Sequence, residues 1–145
     1  MKLAVALLLA AGLVFVGCGS NHSNSSNITG NWTAALTNSS DGSQAFTFTT
    51  SITENNDGTL SVTNLTISSS CFAAPGETES GSFALGGNFN GNVTGQFQFK
   101  VMSPSPSNNV LTLTGTANGN TIKGTWTLTG GTDCQGSGNF TMTKG

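Results

Sequence analysis

From Gly30 onward, apolar residues alternate with threonine, and this alternation constrains the fold more tightly than any other feature of the chain. Leu111-Thr112-Leu113-Thr114 and Trp126-Thr127-Leu128-Thr129 show it most clearly. Successive side chains of an extended strand face opposite sides, so a period of two builds one apolar face and one wet face. Threonine suits the wet face because it is both β-branched and polar. The wealth of Thr, Ser, Asn and Gly would otherwise suggest disorder, but disordered chains do not order their apolar residues this way. Helical periodicity is absent outside the first residues. The expectation is a folded all-β domain.

Eight strand-like segments follow, over 31–38, 44–53, 59–68, 82–90, 93–102, 109–117, 120–129 and 137–143. They are punctuated by Ser40-Asp41-Gly42, Asn56-Asp57-Gly58, Asn90-Gly91-Asn92, Asn118-Gly119-Asn120 and Gly130-Gly131. Asn-Gly and Asp-Gly supply the positive φ angles of tight hairpins. Short connections imply antiparallel neighbours in chain order, hence an eight-stranded up-and-down meander that closes into a barrel and removes its edges. The turns after the second, fourth and sixth segments then share one end, the base, with the start of the domain. The connections at 39–43, 69–81, 103–108 and 130–136 share the other end, the crown.

Parity assigns the interior. It takes Trp32, Ala34 and Leu36, then Phe46 and Phe48, then Phe83, Leu85 and Phe89. Phe97, Phe99 and Val101 follow, then Leu111 and Leu113, then Ile122, Trp126 and Leu128, then Phe140 and Met142. The third segment changes parity between Leu60/Val62 and Leu65/Ile67, which predicts a bulge near Asn64. Gly87, Gly95, Gly115 and Gly124 fall on the inward parity, where a missing side chain admits bending or a large neighbour.

The first residues carry a different message. Lys2 precedes a fourteen-residue apolar run from Leu3, and small polar residues follow it. A basic start, a short apolar stretch and a small residue before the cut make a secretory signal, expected over residues 1–17. The run falls short of the ~20 residues that span a bilayer. Phe15-Val16-Gly17-Cys18 resembles the lipobox of bacterial lipoproteins, with Phe15 where Leu is usual and Val16 where Ala or Ser is commoner. That resemblance implies lipidation of Cys18, cleavage before it and a membrane-anchored protein of the cell envelope, on the outer membrane or cell surface. Residues 18–29 then form a flexible tether, and 30–145 a single domain. With Cys18 lipidated, Cys71 and Cys134 remain as a pair in an oxidising compartment, where a disulfide is the default. Both map to the crown of the meander. Metal binding by this pair is the weaker alternative, since the one histidine, His22, lies in the tether.

Charge and inventory exclude several function classes. Charged residues are 7% of the chain, the four basic ones are all lysine, and acids outnumber them. Nucleic acid requires a basic footprint, and anionic lipid a polybasic one, and neither is present. Attachment to the membrane therefore falls to the lipid on Cys18. With no Arg or Tyr and the sole His in the tether, no nucleophile has an evident base, and a non-catalytic protein without cofactor or metal is expected. Glu77 and Glu79 sit two apart in a Pro- and Gly-containing loop, a feeble match to paired catalytic carboxylates. With Asp41 and Asp133 they make the crown acidic, as solubilising charge. Asn31-Trp32-Thr33, Asn92-Val93-Thr94 and Asn139-Phe140-Thr141 read as composition and not as glycosylation sites.

Gly30-Asn31-Trp32, opening the first strand, resembles the G-x-W signature of the calycin barrels, the lipocalins and avidins, whose Trp plugs the barrel floor. The Arg that lipocalins pack over this Trp is missing, and Lys144 is a loose substitute; the proportions are closer to avidin. The resemblance implies a carrier of a small apolar ligand, with Trp32, Phe97, Phe99 and Trp126 lining the interior. The competing expectation is a filled, monomeric barrel that presents loops to an envelope protein. The number of inward aromatic residues favours the filled barrel.

Overall fold

A computed structural model describes residues 28–145 except 74, 90 and 91. Eight strands run in chain order: β1 (Gly30–Asn38), β2 (Gln44–Glu54), β3 (Leu60–Ile67), β4 (Thr78–Phe89), β5 (Asn92–Met102), β6 (Val110–Asn118), β7 (Thr121–Thr129) and β8 (Gly136–Lys144). One 3-10 turn, Ser70–Phe72, lies between β3 and β4. The strands form one antiparallel sheet in the order β3-β2-β1-β8-β7-β6-β5-β4. β1 takes β2 on one side and β8 on the other, from Trp32 opposite Lys144 to Asn38 opposite Gly138. The meander therefore curls until its first and last strands join.

Closure is nearly complete, with one seam. Among the described residues, β3 and β4 are joined by the bridge Thr59–Ser82 and by Phe83 N–H donating to the Gly58 carbonyl at 2.8 Å. Above that point the two strands no longer share a ladder. The expected full ring of strands is thus interrupted where the longest connection falls.

The turns follow the chemistry of their residues. Asp57 accepts from Thr59 N–H at 2.9 Å and from its hydroxyl at 2.6 Å, and Gly58 adopts φ +81°. That positive angle is open to glycine at no steric cost. Asp41 does the same for Ser43, at 3.0 and 2.7 Å. The bulge in β3 is present where the parity changes. Asn64 has φ +54°, and the β2–β3 register shifts between Thr49 and Ser51.

Inward positions are mostly apolar and buried, from Trp32, Ala34 and Leu36 of β1 to Phe140 and Met142 of β8, while Val62, Leu65 and Ile67 of β3 are half-buried. The outer wall carries threonines, in cross-strand partners such as Thr112–Thr127, Thr114–Thr125 and Thr33–Thr143. A membrane-spanning barrel has the opposite polarity, with its apolar band outward. No helix among the described residues is long and apolar enough to cross a membrane.

Three expectations are corrected. β4 starts at Thr78 and not at 82, because its partner β5 offers a ladder as far as Met102; the polar stretch Thr78-Glu79-Ser80-Gly81 conceals that pairing in the sequence. The crown connection is accordingly shorter, and Glu79 belongs to a strand. Leu85 is 45% exposed despite its inward parity, since the register slips between Leu85 and Gly87. The packed domain already begins at Ile28, which is 2% exposed, where a tether had been expected to run to 29. The signal, Cys18, the tether to residue 27, the Asn90-Gly91 turn and the side chain of Phe89 lie outside the described residues.

Candidate functional site

The four residues expected to line the interior all lie there, and all are covered. Trp32 and Phe99 are each 1% exposed, Phe97 0% and Trp126 2%. Phe97 and Phe99 belong to a column of aromatic rings. Phe48 stacks on Phe99 at 5.7 Å between centroids, Phe99 on Phe97 at 6.2 Å, and Phe97 lies 6.5 Å from Phe140. Phe46 meets Trp126 edge-on at 5.5 Å. Offset and edge-on pairs at these separations are the favoured ones for aromatic rings. Two of the inward glycines, Gly95 and Gly115, leave room for aromatic rings. A Cβ on Gly95 would stand 2.3 Å from the ring of Phe83, and one on Gly115 would stand 2.9 Å from the ring of Phe140.

The indoles also close hydrogen bonds that buried Trp requires. Trp32 Nε1 donates to the Ile28 carbonyl at 2.7 Å, so the floor residue is held by the segment that leads into the domain. Trp126 Nε1 donates to the Thr37 carbonyl at 2.9 Å, tying β7 to β1 near the crown. Lys144 faces Trp32 in the β1–β8 register, and its alkyl stem runs against Gly30, where a Cβ would be 2.4 Å from Lys144 Cε. Its stem packs at the base of the barrel against the backbone of β1.

Cys71 and Cys134 form a disulfide, with Cα atoms 5.7 Å apart at a sequence separation of 63. It fastens the β3–β4 connection to the β7–β8 loop across the crown. Asn109, buried at 4% exposure, reinforces the same junction. Its Nδ2 donates to the Cys71 carbonyl at 2.8 Å, and its Oδ1 accepts from Gly131 N–H at 3.3 Å. Its own N–H donates to Ser103 Oγ at 2.8 Å, while Ser103 N–H donates to the Asn109 carbonyl at 2.9 Å. One asparagine therefore joins three crown connections. Phe72, beside the disulfide, is 7% exposed and packs into the core beneath it. Sequence reasoning did not single out Asn109 or Ser103. An isolated Asn ahead of a strand has no periodic partner, and only the folded crown reveals its role.

The crown acids do not assemble into one group. Asp41 and Asp133 are exposed; Glu77 and Glu79 are half-buried at the start of β4. Glu77 Oε1 is covered and has no hydrogen-bond partner among the described residues. Hydrogen bonds from Ser43 hold the Asp41 carboxyl below the usual carboxylate range, and those from Thr59 do the same for Asp57 at the base. Glu54, at the base end of β2, goes the other way, because burial raises it. No group of three His, Cys, Asp or Glu side chains among the described residues is placed to hold a metal ion.

Among the described residues the outer wall carries open depressions. The one lined by Ser80, Ser82, Gln98, Lys100 and Thr112 encloses about 300 Å³ and faces solvent broadly. What this arrangement provides is a rigid, aromatic-filled body with a stitched crown. In comparisons with known proteins, no family model, no curated protein and no solved structure matches this chain.

Proposed function

We propose that the chain is a lipid-anchored lipoprotein of the cell envelope, a non-catalytic β-barrel that offers its crown loops to an envelope protein. The address comes from Lys2, the apolar run and Phe15-Val16-Gly17-Cys18. The single observation that carries the activity is the aromatic column from Phe48 through Phe99 and Phe97 to Phe140, which occupies the space a cargo would need. Barrels of eight strands either fill with side chains or hold one small ligand, and here side chains supply the volume. The domain starts at Ile28 at the base, so a lipid on Cys18 leaves the crown pointing away from the membrane.

A second reading, a lipocalin- or avidin-like carrier of a small apolar ligand, draws on Gly30-Asn31-Trp32 and on the meander itself. The stitched crown opposes it, because that is the end through which such a barrel would load. The proposal is tested by Cys18→Ala in the native host. The variant is expected to fold and to leave the membrane fraction. Retention of the variant in membranes after a high-salt wash contradicts the anchor.

A further inference from the structure

The two cysteines of the crown are held in place by hydrogen bonds that do not involve sulfur. The β5–β6 connection closes on itself. Ser103 N–H donates to the Asn109 carbonyl at 2.9 Å, Asn109 N–H donates back to Ser103 Oγ at 2.8 Å, and Asn108 N–H donates to the Pro104 carbonyl at 3.3 Å. These contacts lie within one short loop, so closing it costs little chain entropy. They present the buried Asn109 carboxamide to two neighbouring connections. Its Nδ2 donates to the Cys71 carbonyl at 2.8 Å and its Oδ1 accepts from Gly131 N–H at 3.3 Å. Each partner belongs to a tight turn that carries a cysteine. In the β3–β4 connection, Cys71 N–H donates to Ser69 Oγ at 3.3 Å, and the ring of Phe72 is buried. In the β7–β8 connection, Cys134 N–H donates to the Gly131 carbonyl at 2.8 Å. Gly130 keeps the approach open, since a Cβ there would collide with Asn109 Oδ1.

We propose that Asn109 is a positioning residue for oxidation of the crown, gathering the Cys71 turn and the Gly131–Cys134 turn before the disulfide forms. The oxidant is a disulfide. The thiolate of one cysteine attacks it and expels a thiolate, leaving a mixed disulfide. The thiolate of the second cysteine then displaces the other half, so the Cys71–Cys134 bond forms and the oxidant leaves as two thiols. Those thiols carry the two electrons and two protons that the pair gives up. The second step is intramolecular, and both its rate and the final equilibrium rise with the effective concentration of one sulfur about the other. The carboxamide raises that concentration because it fixes both turns in the reduced chain. In the oxidised chain the covalent bond fixes them already. Loss of the carboxamide therefore frees the turns of the reduced form, leaves those of the oxidised form tied, and moves the equilibrium toward the dithiol. The inference goes beyond the proposed function and depends neither on the lipid anchor nor on what the crown meets.

The thiol–disulfide equilibrium with glutathione, measured on the folded Cys18→Ser chain so that this pair supplies the only thiols, tests the proposal. Asn109→Ala is expected to move the equilibrium constant about tenfold toward the dithiol, which corresponds to about 30 mV, and to slow closure of the mixed disulfide. Gly130→Ala keeps the asparagine but displaces it. It is expected to shift the constant in the same direction, and it decides the question if Asn109→Ala does not fold. Gly95→Ala, in the barrel wall beside Phe83, reports general destabilisation and is expected to leave the constant as it is. An unchanged constant in Asn109→Ala, or in Gly130→Ala where the former does not fold, overturns the proposal. An equal shift in Gly95→Ala also overturns it, because overall stability and not the placement of the two turns then sets the equilibrium.

Discussion

At Gly95 a missing side chain performs a packing role. The ring of Phe83 lies where a Cβ would be, within 2.3 Å. Interiors packed at crystal density respond to one extra methyl by shifting rings or backbone, typically at 1–3 kcal/mol. Gly95→Ala is therefore expected to lower unfolding free energy in urea by about 2 kcal/mol. Combined with Phe83→Leu, which shortens the clashing side chain, it should cost less than the two single changes added together. Strict additivity would show that ring and glycine do not share this space. The carboxylates give a second test at this scale. Asp41 and Asp57 have folded values below their unfolded ones, so their contribution is present above the ordinary carboxylate range and fades as pH falls through the folded value. Glu54 is raised by burial, so its ionised form opposes folding at neutral pH, and that opposition vanishes once pH drops below the unfolded value. Glu54→Gln is expected to raise the melting temperature at pH 7 and to leave it unchanged near pH 3. A gain of equal size at both pH values would assign the effect to something other than charge.

Among the elements, β1, β2 and β5–β8 are legible in the sequence because alternation and turn chemistry act on the same residues. Thr112 and Thr127 face out while Leu111 and Leu128 face in, and Asn118-Gly119 closes the hairpin between their strands. The first third of β4 was hidden, since Thr78-Glu79-Ser80-Gly81 has no apolar period and is extended by pairing with Lys100, Val101 and their neighbours. Tertiary pairing overrides local preference there. The seam was hidden for a related reason, because strand patterning records which face is wet and does not record which edges are joined. Asn109 illustrates the limit for the crown, where its bonds to Cys71 and Gly131 depend on loops far apart in the chain. The bulge at Asn64 was legible, as a change of parity marks the extra residue. Its left-handed backbone, φ +54°, suits Asn or Gly and penalises a β-branched residue. Asn64→Val is expected to destabilise by about 1 kcal/mol and Asn64→Gly to be nearly neutral by the same measurement. Equal losses in both would place the cost in the side chain of Asn64 and not in its backbone.

As a whole the molecule is a sheet rolled around aromatic rings, closed by β1–β8 and fastened across the crown by a covalent bond. The Cys71–Cys134 bond closes a span of 63 residues. Loop-closure entropy assigns such a bond about 4 kcal/mol through restriction of the unfolded chain. Reduction is accordingly expected to lower the melting temperature by several degrees. An unchanged melting temperature would mean that the bond restrains little of the unfolded ensemble. The barrel core is built of its own residues, from Trp32 at the base to Trp126 near the crown, and the proposed function places its attachment to the membrane in Cys18. Native mass spectrometry of the mature protein, extracted gently from its own membranes, tests both halves at once. The account predicts a chain starting at Cys18, carrying acyl mass, lighter by two hydrogens for the disulfide and holding nothing else. A further small molecule retained in the oxidised protein would contradict it, and would identify the barrel as a carrier together with its cargo.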